Sequence, residues 1–235
     1  TVTVRAFPIG IDTEGFAMMA AGNKDAKRQF EKATSALNGR TQIVGVDRLD
    51  YTKGIAERFR AYERLLQDYP EARRAVSYLQ IAATSRDEVR EYRDMRDELD
   101  GLSGHINGAY GEFDWLPLRY LNRPLSRRSL AGLYRASKIG LVTPLRDGMN
   151  LVAKEYVAAQ DPASYQMPEA IIVNPYDVKG VADALQIARY MSLHERRERF
   201  EALMAGLKGE DVAHWRDAFL TTLAAAAPAR RSAVS

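Results

Sequence analysis

Residues 43–82 read IVGVDRLDYTKGIAERFRAYERLLQDYPEARRAVSYLQIA, and they contain the unit on which the fold turns. Two apolar runs, 43–47 and 76–82, have the length of strands. Between them Ile55, Phe59, Tyr62, Leu65 and Leu66 recur at steps of three and four, the period of a helix with one apolar face, until Tyr69-Pro70 stops it. Strand, helix, strand with nearly continuous apolar strands predicts a parallel pair joined by a crossover helix.

Working outward, strand-length runs recur at 116–121 (LPLRYL), 138–143 (KIGLVT) and 170–173 (AIIV). Helical spacing fills the gaps. Val89, Tyr92, Met95, Leu99 and Leu102 follow a Thr84-Ser85 cap signal, Leu130, Leu133 and Tyr134 follow Ser126, and a fourth pattern covers 149–160. The alternation predicts an α/β fold, a doubly wound, Rossmann-like parallel sheet over 41–208. Three further helical patterns follow residue 178, and 209–235 reads as a closing helix with a frayed tail. Residues 1–40 break the repeat and read as one strand, TVTVRAF, then a linker with one amphipathic helix.

The 235 residues, 46% apolar and 28% charged, suit a folded domain with a sizeable core. Thirty-four basic side chains against 31 acidic ones leave +3 with no concentrated block, so nothing asks for nucleic acid. No window reaches the roughly 18–20 apolar residues of a membrane span. The absence of Cys removes disulfides, thiol nucleophiles and zinc ribbons, and suits a reducing cytoplasm. His105, His194 and His214 are too scattered for a metal cluster, and neither metal nor cofactor is expected. The chain starts at Thr1 in a strand-like run, as a piece of a longer protein would.

Chemistry in a parallel sheet gathers at the carboxyl ends of its strands. Neither G-x-G-x-x-G nor G-x-x-x-x-G-K-[ST] occurs, and Asp-x-Asp is also missing, so the common nucleotide fingerprints give no support. Three strand-end segments are rich in polar groups instead. In VGVDRLDYTKG (44–54), Arg48 and Lys53 lie between a strand end and a helix start, where a guanidinium fork, an ammonium and backbone amides converge on a phosphate. Surface salt bridges among Asp47, Arg48, Asp50 and Lys53 are the alternative. In TPLRDGMNLVAKEYVAAQ (143–160), the turn at Pro144 and Gly148 leads to a helix N-terminus whose free amides suit a hydroxyl or phosphate oxygen. Asp147 stands at that mouth. Glu155 lies two turns down an otherwise apolar helix, facing either ribose hydroxyls or a basic neighbour. In IAATSRDEVREY (81–92), Arg86 starts a helix as a phosphate ligand or as the partner of Asp87 or Glu88. Tyr110, Phe113 and Trp115 read as packing.

VDRLDYTKG (46–54), GAYGEFDW (108–115), SLAGLYRASKIGLVTPLRDGMNLVAKEYVAAQDP (129–162) and IVNPYD (172–177) resemble the trehalose-6-phosphate synthase family. The resemblance implies a retaining glycosyltransferase of two facing Rossmann-like domains, with this chain as the C-terminal, donor-binding half. FPIGID (7–12) resembles the crossover from the other half. The resemblance also implies roles. Arg48 and Lys53 would bind the diphosphate of UDP-glucose and stabilise the departing UDP, Asp147 would hold glucose hydroxyls, and Gly148, Met149 and Asn150 would turn their amides to sugar and phosphates. Leu151, Val152, Ala153, Lys154 and Glu155 would run along the nucleotide with Glu155 on the ribose. Leu125 would meet the uracil, and Arg86 would reach the phosphate of the acceptor.

The implied reaction moves glucose from UDP-glucose to glucose 6-phosphate with retained α configuration, giving trehalose 6-phosphate and UDP. The leaving phosphate would take the acceptor proton, leaving positioning and charge stabilisation to the protein. A GDP-glucose donor and a homo-oligomer are compatible with it. Where the family places a Ser-x-Phe-Ala-Gly-Ala-like strand segment, only ASYQMPEA separates Pro162 from Ile171, which should damage the sheet. A nucleotide-sugar binder without transfer activity, and a glycogen-synthase-like transferase with a similar carboxylate-to-Glu spacing, are the other readings.

Overall fold

A computed structural model describes residues 4–83, 90–161 and 170–226. Two helices, α1 (Thr13–Gly22) and α2 (Lys24–Leu37), precede the sheet. The strands are β1 (Thr41–Arg48), β2 (Val76–Ala83), β3 (Leu118–Leu121) and β4 (Ile139–Gly140). Helix α3 (Ile55–Asp68) links β1 to β2, α4 (Arg90–Tyr110) lies between β2 and β3, and α5 (Arg127–Ala136) joins β3 to β4. Then come α6 (Leu151–Ala159), α7 (Val178–Tyr190), α8 (Leu193–Gly209) and α9 (Val212–Ala226). None of these described helices is long and apolar enough to cross a membrane.

The sheet is parallel and ordered β3-β2-β1-β4. β1 and β2 pair along their whole length, from Thr41 opposite Val76 to Arg48 opposite Ala83. Their side chains alternate between two cores. On one face α3, α4 and α7 bury Phe59, Tyr62, Leu99 and Leu185 against Ile43, Val76 and Tyr78. On the other, α1, α2, α5 and α6 bury Phe16, Ala26, Leu133 and Tyr156 against Val44, Val46, Leu79 and Ile81. Each fully buried Leu or Phe contributes about 1.5–3 kcal/mol. The expected α/β fold with a doubly wound, Rossmann-like sheet is therefore present.

The chain builds outward from β1 to β2 to β3, then α5 carries it back across so that β4 lands on the other side of β1. That reversal is the topological switch point, and loops leaving adjacent strands there diverge to leave a crevice.

Phe113, expected to pack, is instead fully exposed, and three expectations of secondary structure need correction. The strand TVTVRAF is not formed over residues 4–7, and residues 1–3 lie outside the described residues. A strand needs a ladder partner. This stretch instead lies against helices: the Ile9 carbonyl accepts from Lys154 Nζ at 3.0 Å and the Phe7 carbonyl from Trp215 Nε1 at 3.0 Å. The single helix expected before residue 41 is two, because Asn23 leaves α1 with extended backbone and its side chain caps α2 by accepting from the Asp25 and Ala26 amides.

The third correction concerns the sheet's far edge. Residues 170–173 form no strand, and β4 covers two residues of the expected 138–143. A cavity of about 520 Å³, lined by Ile139, Leu141, Ile171, Val173 and Leu185 among others, lies between the end of β4 and residues 170–173. Both segments line this cavity, and among the described residues no ladder joins them.

Candidate functional site

The switch point places the ends of β1 and β4 side by side. After β1 the backbone makes one tight turn at Tyr51–Lys53, fixed by Asp50, whose Oδ1 accepts from the Thr52 amide at 2.9 Å and from Thr52 Oγ1 at 2.7 Å. Gly54 follows with φ at +64°, and a Cβ there would stand 2.8 Å from the Thr143 carbonyl oxygen. Only glycine satisfies both demands without strain. The loop after β4 hangs on the same turn, since the Leu145 and Arg146 amides both donate to the Thr52 carbonyl, at 2.8 and 3.1 Å.

Those contacts carry Asp147 to Lys53. Lys53 Nζ donates to Asp147 Oδ2 at 2.7 Å, and Asn150 Nδ2 donates to the same oxygen at 3.2 Å. Burial would raise the Asp147 carboxyl, but the Lys53 hydrogen bond and charge, with the Gly148 amide and Asn150, outweigh it and hold the group below the usual carboxylate range. Asn150 also caps α6, accepting from the Ala153 amide at 3.0 Å. Arg48, by contrast, has a side chain 65% exposed, with Asp50 4.0 Å away.

A cleft of about 330 Å³ opens between these groups. Arg48, Lys53, Asp147, Met149 and Asn150 line its polar side, and Leu125, Leu151 and Val152 its apolar side. Eight of the residues picked out from the sequence thus meet around one space. Gly148, Ala153, Lys154 and Glu155 do not line it. Lys154 reaches the Ile9 carbonyl, and Glu155 accepts from Arg127 Nε at 3.0 Å, the basic-neighbour alternative weighed above. Burial pushes the Glu155 carboxyl up against the lowering effect of Arg127. Arg86 lies outside the described residues. The 520 Å³ cavity is larger but mostly apolar, and apart from Ala153 and Lys154 it is lined by none of the expected ligand-binding side chains.

Beneath the cleft lies a polar group that sequence reasoning missed. Arg58 of α3 is 1% exposed and surrounded by core. Its Nη1 donates to Asp47 Oδ2, its Nη2 to the Lys53 carbonyl at 2.8 Å and its Nε to Thr143 Oγ1 at 3.1 Å. Gln80 and Tyr78 of β2 complete the network, with Tyr78 Oη donating to Gln80 Oε1. Gly45 makes room for them, since a Cβ there would come within 2.2 Å of Gln80 Oε1. The sequence held a signal. Arg58 falls between Ile55 and Tyr62 at helical spacing, so the apolar stripe itself aims it at the core.

Fold and cleft together define a Rossmann-like α/β unit with two cations and a carboxylate at its switch point. The chain belongs to glycosyltransferase family 20, whose sequence pattern matches residues 1–225. It is 45% identical over 235 residues to the trehalose-6-phosphate synthase of Sodalis glossinidius (strain morsitans), covering 94% of this chain and 50% of that protein. The fold is similar to those of many solved structures, among them two with a ligand bound. One is an alpha,alpha-trehalose-phosphate synthase (UDP-forming) from Burkholderia xenovorans in complex with glucose-6-phosphate, with TM-score 0.90, 43% identity and coverage of 93% and 51%. The other is an Escherichia coli protein bound with UDP-2-fluoro glucose, with TM-score 0.88, 42% identity and coverage of 95% and 55%. The chain spans about half the length of the curated relatives it matches.

Proposed function

We propose that this chain is the donor-binding part of an enzyme that transfers glucose from UDP-glucose to glucose 6-phosphate with retention, giving trehalose 6-phosphate and UDP. The observation that carries the reading is the convergence of Arg48, Lys53 and Asp147 on one switch-point cleft. A diphosphate there would displace Asp147 from Lys53 and take the exposed Arg48 fork, two charge-assisted contacts of about 1.5–3 kcal/mol each. Asp147, released from Lys53, is then placed to accept from sugar hydroxyls. The apolar side at Leu125, Leu151 and Val152 suits a base, and Glu155, two turns down α6, is assigned to the ribose once it leaves Arg127.

Charge is where such a reaction needs help, because the departing diphosphate gains negative charge as the glycosidic bond breaks. Lys53 and Arg48 supply that stabilisation without a metal. Of the carboxylates lining the cleft, Asp47 is held by Arg58 and Asp147, once released from Lys53, is assigned to the sugar hydroxyls. That favours transfer in which the leaving phosphate, not a protein carboxylate, accepts the proton of the incoming hydroxyl. Donor, acceptor and product are all charged phosphates, so the proposed setting is the cytoplasm.

Calorimetric titration of the chain with UDP, UDP-glucose and uridine tests the donor site. Saturable UDP binding at least tenfold tighter than uridine binding is expected. No saturable binding of UDP, or equal affinity for UDP and uridine, overturns the assignment.

A further inference from the structure

Lys53 and Asp147 come from loops far apart in sequence, and one buried guanidinium touches both loop bases. Arg58 uses its three nitrogens on three different backbone segments: Asp47 at the end of β1, the Lys53 carbonyl in the following turn, and Thr143 where the chain leaves β4. A planar fork in a dry setting has one satisfied orientation, whereas an ammonium cannot make all three bonds in the same plane. The carboxylate of Asp47 is shared with the Gln80 side chain, which fixes the fork from the β2 side as well. Around it, Gly54 lies against the Thr143 carbonyl, and the Thr52 carbonyl holds residues 145 and 146.

We infer that Arg58 is a positioning residue for the donor site: it sets the spacing of the turn that carries Lys53 and the loop that carries Asp147, and acts on phosphate only through Lys53. The inference rests on the donor site proposed above. Arg58 itself has no exposed nitrogen with which to meet a ligand, being 1% exposed and directed to protein acceptors. Its substitution should therefore change how well a diphosphate is held, without removing any group that touches it. The chemistry it serves is recognition of a pyrophosphate group.

The experiment is a double-mutant cycle read by calorimetric titration with UDP and with inorganic pyrophosphate. Arg58→Lys keeps the charge beside Asp47 and loses the fork. The expected result is a tenfold or greater loss of UDP and pyrophosphate affinity in the otherwise unaltered chain, and less than a twofold further loss when the same substitution is made on Lys53→Ala. Equal losses in both backgrounds would show that Arg58 acts by some route other than Lys53 and overturn the inference. So would unchanged affinity in Arg58→Lys. Should Arg58→Lys fail to fold, Thr143→Val removes one acceptor of the fork and nothing else, and the same cycle applies with at least a threefold loss expected. If the unaltered chain binds no UDP, the donor-site reading falls, and this inference with it. Binding by the unaltered chain with no Arg58 dependence defeats the inference alone.

Discussion

Lys53 and Asp147 are 94 residues apart in the sequence and 2.7 Å apart in the fold. At the proposed donor site their pairing would make a ligand's phosphate compete with a protein carboxylate for the same ammonium. Asp147→Asn removes the competitor. UDP binding should tighten by about 1 kcal/mol, the scale of one partly exposed ion pair, while the preference for UDP-glucose over UDP shrinks. Parallel titrations of the two ligands check both halves of this statement.

Arg48 contributes to the cleft without supporting the fold, since its side chain is mostly exposed and its ion pair with Asp50 spans 4.0 Å. Arg48→Ala should weaken UDP by about 1.5–3 kcal/mol, the range of a charge-assisted contact. The thermal midpoint should stay where it was. A lowered midpoint with unchanged affinity would assign Arg48 to stability instead.

Gly54 is the point where the two loops touch. Gly54→Ala puts a side chain into a left-handed conformation against the Thr143 carbonyl, with a cost of about 1–2 kcal/mol from the backbone alone. Thermal denaturation should show a midpoint lower by roughly 4 °C or more, and UDP binding should weaken alongside it.

The two carboxylates respond oppositely to pH. Asp147 is held below its ordinary value of 3.8, so the stability it contributes is present above that pH and is lost as pH falls through the depressed value. Glu155 is raised above 4.5 by burial, so the folded chain binds its proton more tightly than the unfolded chain does. Its contribution is present below 4.5 and is lost as pH rises through the elevated value. Glu155→Gln should flatten that upper slope and leave the ligand-free chain at least as stable at pH 7. Urea midpoints measured from pH 4 to 7 decide it.

Much of this was legible from local pattern. The 43–82 stretch gave β1, α3 and β2 because their apolar periods differ cleanly, and Ser126 marked the start of α5 through its own capping bond to the Ser129 amide. The polar strand ends at 44–54 and 143–150 were visible as candidates, and the switch point brings them together. What sequence could not give was partnership at long range. Glu155 finds Arg127 28 residues earlier, and nothing local announces it. Arg58, Asp47 and Gln80 each interrupt an apolar pattern, and read singly they look like noise. Only the register of β1 on β2, with Asp47 opposite Ala82 and Gly45 opposite Gln80, puts them in one network. The strand at 170–173 was read correctly as apolar but lacks a neighbour to bond to, which periodicity does not report.

The uneven pairing of β1 has a kinetic meaning. On one side it holds eight residue pairs with β2, on the other only Ile43 with Ile139 and Val44 with Gly140. Amide hydrogens of β1 and β2 should therefore exchange with solvent only through global unfolding, while those of residues 140–143 exchange through small local openings. The cation-bearing turn grows from the rigid side, whereas the carboxylate-bearing loop leaves the yielding strand and is held by the Thr52 carbonyl of that turn. A ligand gripping both would draw most of its ordering cost from the Asp147 side, and protection gained on binding should concentrate there.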